Sequence, residues 1–263
     1  MSETRKEWDA ASYHLISNPQ FVWGLKVLER LPLQGDETVM DAGCGTGRVT
    51  EQILKRLPNG QVIAVDQSEN MLSRARESLA KYGDKVTFLQ ANLLDLPSDV
   101  QADRIFSTAT FHWVLDHSRL FAGLFNVLTP GGWLIAQCGG QGNLARLYER
   151  VNELLVTAPY APFFRDWREV HNFATAEETA SRLDAAGFTE IQTWIEETPT
   201  SFPQPSDYRE FLTTVNLRDE LARIPGNTLR ELLLQSLTAQ ALKDMPPLTL
   251  DYHRLNIIAR RPL

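Results

Sequence analysis

The sequence predicts an α/β fold in which a mostly parallel sheet carries helices on both faces. Three observations predict it. First, a strand, a glycine turn and a helix start follow one another over 38–54, where Thr38-Val39-Met40-Asp41-Ala42 runs into Gly43, Gly45 and Gly47 and then into Arg48-Val49-Thr50-Glu51-Gln52-Ile53-Leu54. Second, strand-like apolar runs at 38–42, 61–66, 86–90, 103–108 and 132–138 alternate with helical periods near 47–57, 69–81 and 118–127, the pattern of parallel strands joined by right-handed crossovers. Third, Thr129-Pro130-Gly131-Gly132 supplies a turn that launches the fifth strand.

Taken in chain order, residues 7–31 carry apolar side chains at helical spacing interrupted by Asn18-Pro19, so two short helices joined at the proline are expected. Beyond the fifth strand, 142–157 reads as a helix and 158–167 as a proline- and aromatic-rich connection. A helix over 175–186 then closes on Gly187, which suits a left-handed cap. The runs 189–196 and 251–259 read as the last two strands. Between them, 207–223 and 228–243 are helical by period and bounded by Pro203, Pro205, Pro225 and Pro246. One domain over 1–263 is expected, with N-terminal helices at 1–31, a ligand-binding core at 32–140, and helical insertions at 141–174 and 198–250. The long insertion either covers the strand C-terminal ends as a lid or packs on the back of the sheet.

Hydrophobic content of 43% and charged content of 22% suit a soluble globular protein. No apolar run approaches the roughly 20 residues of a membrane span, and residues 1–7 lack a signal peptide's apolar core. A cytoplasmic protein with no membrane partner is expected. Cys44 and Cys138 cannot build a four-thiol zinc site, so no metal is expected. A net charge of −7 with dispersed Lys and Arg leaves no footprint for nucleic acid and disfavours a polyanionic substrate. The expectation is a monomer or homodimer that takes a small-molecule substrate.

The glycine turn narrows the ligand. Alternate glycines let the chain reverse and let a ligand lie on bare backbone beside the N–H groups that open the next helix. The dinucleotide fingerprint would place its third glycine one residue later, where Arg48 stands. Asp41, at the strand tip, repels a pyrophosphate and attracts a cation. S-adenosylmethionine has a sulfonium, an ammonium and no phosphate, and fits such a pocket better than a nicotinamide dinucleotide. Asp66 ends the strand 61–66. Its carboxylate can accept both ribose hydroxyls or cap the following helix, for which Ser68 and Asn70 are alternative caps.

The run Asp41-Ala42-Gly43-Cys44-Gly45-Thr46-Gly47, followed by Asp66, resembles motifs I and II of the class I S-adenosylmethionine-dependent methyltransferases. Val86-Thr87-Phe88-Leu89-Gln90-Ala91-Asn92-Leu93 resembles their motif III, with Asn92 where an acid is usual, and Pro130-Gly131-Gly132 matches the turn before strand five. The resemblance implies a Rossmann-like seven-stranded sheet whose final strand is antiparallel, and S-adenosylmethionine as cofactor. It implies cofactor contacts from Asp41, Gly43, Gly45, Gly47, Asp66, Gln67 and Thr108. Asn92 would accept from the adenine amine or form a turn. The Leu93 backbone N–H would meet a ring nitrogen, and Met71 would cover an adenine face or pack in the core.

His112-Trp113, after the fourth strand, resembles the small-acid group that includes trans-aconitate and malonyl carrier protein methyltransferases. The substrate candidates are His112, Trp113, Tyr13 and Arg165. His112 is either a general base or a packed histidine, and Tyr13 with Trp8 either closes the site or packs between helices. Arg165 and Arg168 either clamp a carboxylate from one helix face or are surface charge. Ser107-Thr108-Ala109-Thr110 lacks the signatures of nucleic-acid base methylation. The reading is methylation of a small organic molecule, with a carboxylate oxygen as leading acceptor, no base being needed for a group already ionised at neutral pH. Carbon or nitrogen methylation of an aromatic or isoprenoid metabolite, and a non-catalytic cofactor-binding relative, are the alternatives.

Overall fold

A computed structural model describes residue 10 and residues 18–263. Trp8 and Tyr13, and the first of the two N-terminal helices, lie outside the described residues. Helix α1 (Asn18–Leu28) holds Pro19 in its first turn, where a missing N–H leaves no intrahelical bond unmade. Strand β1 (Thr38–Ala42), helix α2 (Arg48–Leu54), β2 (Gln61–Asp66), α3 (Glu69–Leu79), β3 (Val86–Gln90), β4 (Ala102–Thr108), α4 (His117–Val127) and β5 (Leu128–Gly139) follow. Next come α5 (Ala145–Leu155), α6 (Ala176–Ala185), β6 (Thr189–Glu197), β7 (Thr200–Ser201), α7 (Pro205–Phe211), α8 (Arg218–Arg223), α9 (Asn227–Ala241), β8 (Thr249–Leu250) and β9 (His253–Arg260).

Seven strands form one sheet in the order β3-β2-β1-β4-β5-β9-β6. The pairs from β3 to β5 are parallel, and β9 runs antiparallel to both β5 and β6. The strand order reverses at β1, which pairs with β2 on one side and β4 on the other. Ligands of open parallel sheets bind beyond the strand C-termini at such a reversal. Alternate side chains of each strand feed opposite faces. Met40 and Val65 join one buried cluster with Phe121 and Leu183, while Val39 and Val62 join the other with Val27, Ile53 and Leu72.

A third buried cluster belongs to the insertions. Leu147 and Val151 of α5 pack with Tyr208 and Phe211 of α7 and with Leu233 and Leu237 of α9. Trp23 and Tyr252 belong to the same cluster and connect it to α1 and to the residue before β9. A small antiparallel pair, β7 with β8, closes the base of the long insertion and had no counterpart in the sequence pattern.

Three expectations are corrected. The period over 207–223 suggested one helix, but α7 and α8 are separated by a π turn at Leu212–Asn216, in which Leu217 N–H donates to Leu212 O at 2.8 Å. The additional residue rotates Val215 and Asn216 inward, so both are buried beside Leu212. The Pro-Gly-Gly turn is a bulge within β5: Ala102 pairs with Leu128 and Arg104 with Trp133. There Gly131 has φ 78°, and its N–H donates to Arg261 O and Pro262 O of the C-terminal segment. The stretch carrying Arg165 and Arg168 is not helical beyond the short turn Ala161–Phe163, because Pro159 and Pro162 interrupt it. Gly187 has φ 100° and ends α6 as a left-handed cap. Among the described residues no helix is long and apolar enough to cross a membrane.

Candidate active site

The turn after β1 is built on backbone. Gly43 and Cys44 N–H both donate to Val65 O, at 2.8 and 2.9 Å, which ties the turn to β2. Gly43, Gly45 and Gly47 all have positive φ, at 86°, 54° and 81°. A Cβ on Gly43 would lie 2.1 Å from Thr110 Oγ1, and one on Gly47 2.9 Å from Leu79, so these two are held by packing. A Cβ on Gly45 would meet nothing within 4 Å. Gly45 is the glycine that faces open space.

Two acids flank this turn. Asp66 accepts from Gly45 N–H through Oδ2 and from Ser68 N–H through Oδ1, both at 2.9 Å. Ser68 is the cap of α3, since its hydroxyl accepts from Met71 N–H. Asp41 is 2% exposed, and Thr50 Oγ1 donates to its Oδ2 at 2.6 Å. Burial, opposed by that bond and aided by the charge of Asp66, pushes its carboxyl up to about 7. A site that holds the Asp41 carboxyl this reluctantly takes a cationic ligand, whose charge favours its ionised form.

A cleft of ≈ 460 Å³ opens here, with Asp41, Gly43, Gly45, Arg48 and Thr108 in its lining. Arg48 lies over the Phe21 ring with its Cζ 4.4 Å from the centroid. Gly47 is buried behind this surface. Asp66, Gln67, Met71, Asn92 and Leu93 are not among the lining residues. Gln67 is exposed and its carbonyl accepts from Gln90 Nε2 at 3.3 Å, while Met71 and Leu93 are buried. Asn92 forms a turn, its Oδ1 accepting from Leu94 N–H at 3.0 Å.

A second cleft of ≈ 430 Å³ adjoins the first, and Gln20 and Ala109 line both. Ala109 has φ 55°, a left-handed position that a side chain seldom adopts, and its N–H donates to Gln137 O at 2.8 Å. His112 and Trp113 line the second cleft with Tyr148, His171, Asn216 and Arg254. Gly139 N–H donates to His112 Nδ1 at 3.2 Å. A ring whose Nδ1 accepts from a backbone N–H carries its proton on Nε2, so His112 offers a donor. Arg254 is 2% exposed and stacks over Trp23 with its Cζ 4.7 Å from the ring centroid.

His171 has the opposite tautomer. Its Nδ1 lies 2.9 Å from Glu169 Oε1. Hydrogen bonds from His171 and from the backbone of Val170 and His171 hold the Glu169 carboxyl below its ordinary range, against the effect of burial. An ionised acceptor at Nδ1 requires a proton there, and Nε2 of the same ring lies 3.5 Å from Tyr148 OH.

Several sequence expectations divide here. Asp41, Gly43, Gly45 and Thr108 come together in one cleft and His112 with Trp113 in the next. Arg165 is exposed on a turn and absent from both linings. The arginine of the second cleft is Arg254. His171, Asn216, Tyr148 and Arg254 were missed. Arg254 left a signal in the sequence, a charged residue opening the apolar run Leu255-Asn256-Ile257-Ile258. The others left none, since a turn and two insertion segments bring them together.

A family profile described as a methyltransferase domain matches residues 39–132. The trans-aconitate 2-methyltransferase of Acidovorax ebreus is 37% identical over 131 residues, which are 50% of this chain and 49% of that protein. The chain thus spans about half the length of that relative. The trans-aconitate 2-methyltransferase of Methylobacterium nodulans is 31% identical over 189 residues, 72% of this chain and 67% of that protein. Among solved structures, phosphoethanolamine N-methyltransferase 2 of Haemonchus contortus, in complex with phosphomonomethylethanolamine and S-adenosylhomocysteine, is 21% identical with a TM-score of 0.62. That likeness covers 97% of this chain and 57% of the other and is one of fold.

Proposed function

Because this chain belongs to the class I S-adenosylmethionine-dependent methyltransferases, we propose that it methylates a carboxylate oxygen of a small organic acid. The cofactor supplies, when bound, a methyl group on a positively charged sulfur that leaves without acid assistance. Asp41 and Asp66 fit it by charge. Asp66 would take the ribose hydroxyls, Gly45 would admit the ligand to the backbone, and Asp41 would face its positive end. Gln67, Met71, Asn92 and Leu93 remain candidates for the adenine end, and Thr108, which lines the cleft, would stand at the methyl-bearing end.

The observation that carries the acceptor assignment is the bond from Gly139 N–H to His112 Nδ1. It leaves Nε2–H as a donor in the second cleft, and a donor binds a carboxylate but removes no proton. Arg254 adds a guanidinium to the same lining, a group matched to carboxylate geometry. A carboxylate is ionised at neutral pH, so these residues need only bind, orient and keep out water. Trp113 and the insertion residues Val215 and Asn216 wall the cleft, which supports a lid role for 198–250. The relatives named for trans-aconitate point to the same substrate class.

The test is turnover of methyl-labelled S-adenosylmethionine with a panel of small organic acids. Label that alkali releases from the product marks an ester and supports the proposal. Label in an alkali-stable position, or none across the panel, contradicts it.

A further inference from the structure

One polar side chain stands where the two clefts meet. Gln20, in the first turn of α1, lines both of them and is 9% exposed. The same face of α1 is anchored on either side of it. Trp23, three residues on, has its ring 4.8 Å from that of Tyr252 and carries Arg254 at 4.7 Å, and both partners line the second cleft. Gly24, four residues on, is packed so closely that a Cβ there would lie 2.8 Å from Val49 Cγ2 and 3.5 Å from Thr108 Oγ1, both of the first cleft. Positions three and four apart share a helix face, so Gln20 lies on the seam between the two sides. Arg48 fixes the start of the helix, donating to Asn18 Oδ1 at 3.0 Å and covering the Phe21 ring.

The amide of Gln20 is held there with its acceptor unused. Oε1 is buried and has no hydrogen-bond partner among the described residues. A buried carbonyl left unpaired is costly, and a ligand donor relieves the cost. The two ligands differ in what they offer: the cofactor's ammonium only donates, and the carboxylate of the acid only accepts. Transfer requires the methyl-bearing sulfur to lie beside the acceptor oxygen, so it occurs where the clefts join. The ammonium sits on the short chain that ends at that same sulfur. A carboxamide has a carbonyl on one arm and an NH2 on the other. A carboxylate in its place would repel the acid, and a cationic side chain would repel the ammonium.

We propose that Gln20 bridges the two ligands: Oε1 accepts from the ammonium of S-adenosylmethionine in the first cleft, and Nε2–H donates to the acceptor carboxylate in the second. The proposal rests on the carboxylate reading above. It adds to His112 and Arg254 a third donor, one that also touches the cofactor. Cofactor binding engages the carbonyl and thereby turns the N–H groups toward the acid.

Calorimetric titration of the parent, Gln20→Leu and Gln20→Glu compares S-adenosylhomocysteine with its deaminated analogue, which lacks the ammonium. The ratio of the two affinities is expected to fall about tenfold or more in Gln20→Leu, the worth of a hydrogen bond to a charged group. It persists in Gln20→Glu, which still accepts. A ratio within one variant is insensitive to partial loss of folded protein. Steady-state kinetics with S-adenosylmethionine and the panel of small acids, trans-aconitate included, tests the other half. For the acid with the highest kcat/KM in the parent, that value falls about tenfold or more in Gln20→Glu, with the active fraction taken from the calorimetric stoichiometry. An unchanged affinity ratio in Gln20→Leu overturns the bridge, and so does a ratio lost in Gln20→Glu, which would mean that the amide presents N–H to the cofactor. Undiminished kcat/KM for the acid in Gln20→Glu overturns the bridge and leaves the carboxylate reading standing. No turnover of any acid overturns both.

Discussion

The backbone N–H of Gly139 donates to Nδ1 of His112 at 3.2 Å, across the mouth between β5 and the short turn Phe111–Trp113. The bond fixes which ring nitrogen bears the proton and separates two roles that residue type alone cannot distinguish. His112→Gln places an amide N–H near the position of Nε2–H and is expected to retain most of kcat/KM for an acid acceptor. His112→Leu loses about tenfold to a hundredfold, the worth of a hydrogen bond to a charged group. Steady-state kinetics of the two variants separates the roles, because a general base would be lost equally in both.

Gly45 and Gly43 differ in what surrounds them, and so should their alanine variants. Gly45→Ala adds a Cβ into open space at φ 54°, where a side chain costs about 1 to 2 kcal/mol. It is expected to fold, with a modest fall in Tm, and to lose cofactor affinity because the methyl enters the cleft. Gly43→Ala would press a Cβ to 2.1 Å from Thr110 Oγ1 and is expected to fail at folding. Thermal unfolding and calorimetric titration with S-adenosylhomocysteine check the pair.

Asp66 joins the two cofactor motifs through its bond to Gly45 N–H. Asp66→Ala should weaken cofactor binding by about a hundredfold through loss of two charge-assisted hydrogen bonds to hydroxyls. The fold should survive, because Ser68 caps α3. Calorimetry with the variant gives the ratio directly.

Asp41 and Glu220 give the cofactor-free protein a stability that falls as pH rises. Their carboxyls are pushed from 3.8 to about 7 and from 4.5 to about 8. The folded state therefore holds protons that the unfolded chain releases. Their contribution is complete below pH of about 4 and is lost as pH passes through those raised values. Glu37, Glu51, Glu169 and Asp244 are lowered and act oppositely, but their contribution is complete above their ordinary values of 4.5, 4.5, 4.5 and 3.8. His117 is also lowered, by burial, and adds stability as pH rises through its ordinary 6.5. Urea unfolding of Asp41→Asn against the parent isolates the acid: the variant's stability relative to the parent should rise between about pH 4 and 7 and then level off. Cofactor affinity should rise over the same interval, since ionised Asp41 attracts the cation and the protonated form does not.

The sheet was legible because its strands are local. The five runs from Thr38 to Cys138 each pair apolar alternation with a turn or cap, and they name their own ends to within a few residues. The glycine turn, Asp41 and Asp66 were legible for the same reason, since one strand, one turn and the next strand tip place them. The acceptor side was not. Arg254 opens the last strand, His171 sits in an irregular segment and Asn216 ends a π turn. They meet only when β9 inserts between β5 and β6 and the insertion folds over it. Arg165 is the converse case: its spacing to Arg168 suited either a carboxylate clamp on one helix face or surface charge, and the stretch beyond Ala161–Phe163 is not helical and leaves it exposed.

The central claim, that a carboxylate oxygen attacks the cofactor's methyl group, has a direct isotopic test. An acceptor acid labelled with heavy oxygen in its carboxylate is incubated with the protein and deuteromethyl S-adenosylmethionine, and the product is hydrolysed in alkali and analysed by mass spectrometry. The expected result is deuterated methanol carrying heavy oxygen, because ester hydrolysis leaves the alkyl–oxygen bond intact. A deuteromethyl group that stays with the acid after hydrolysis would contradict it.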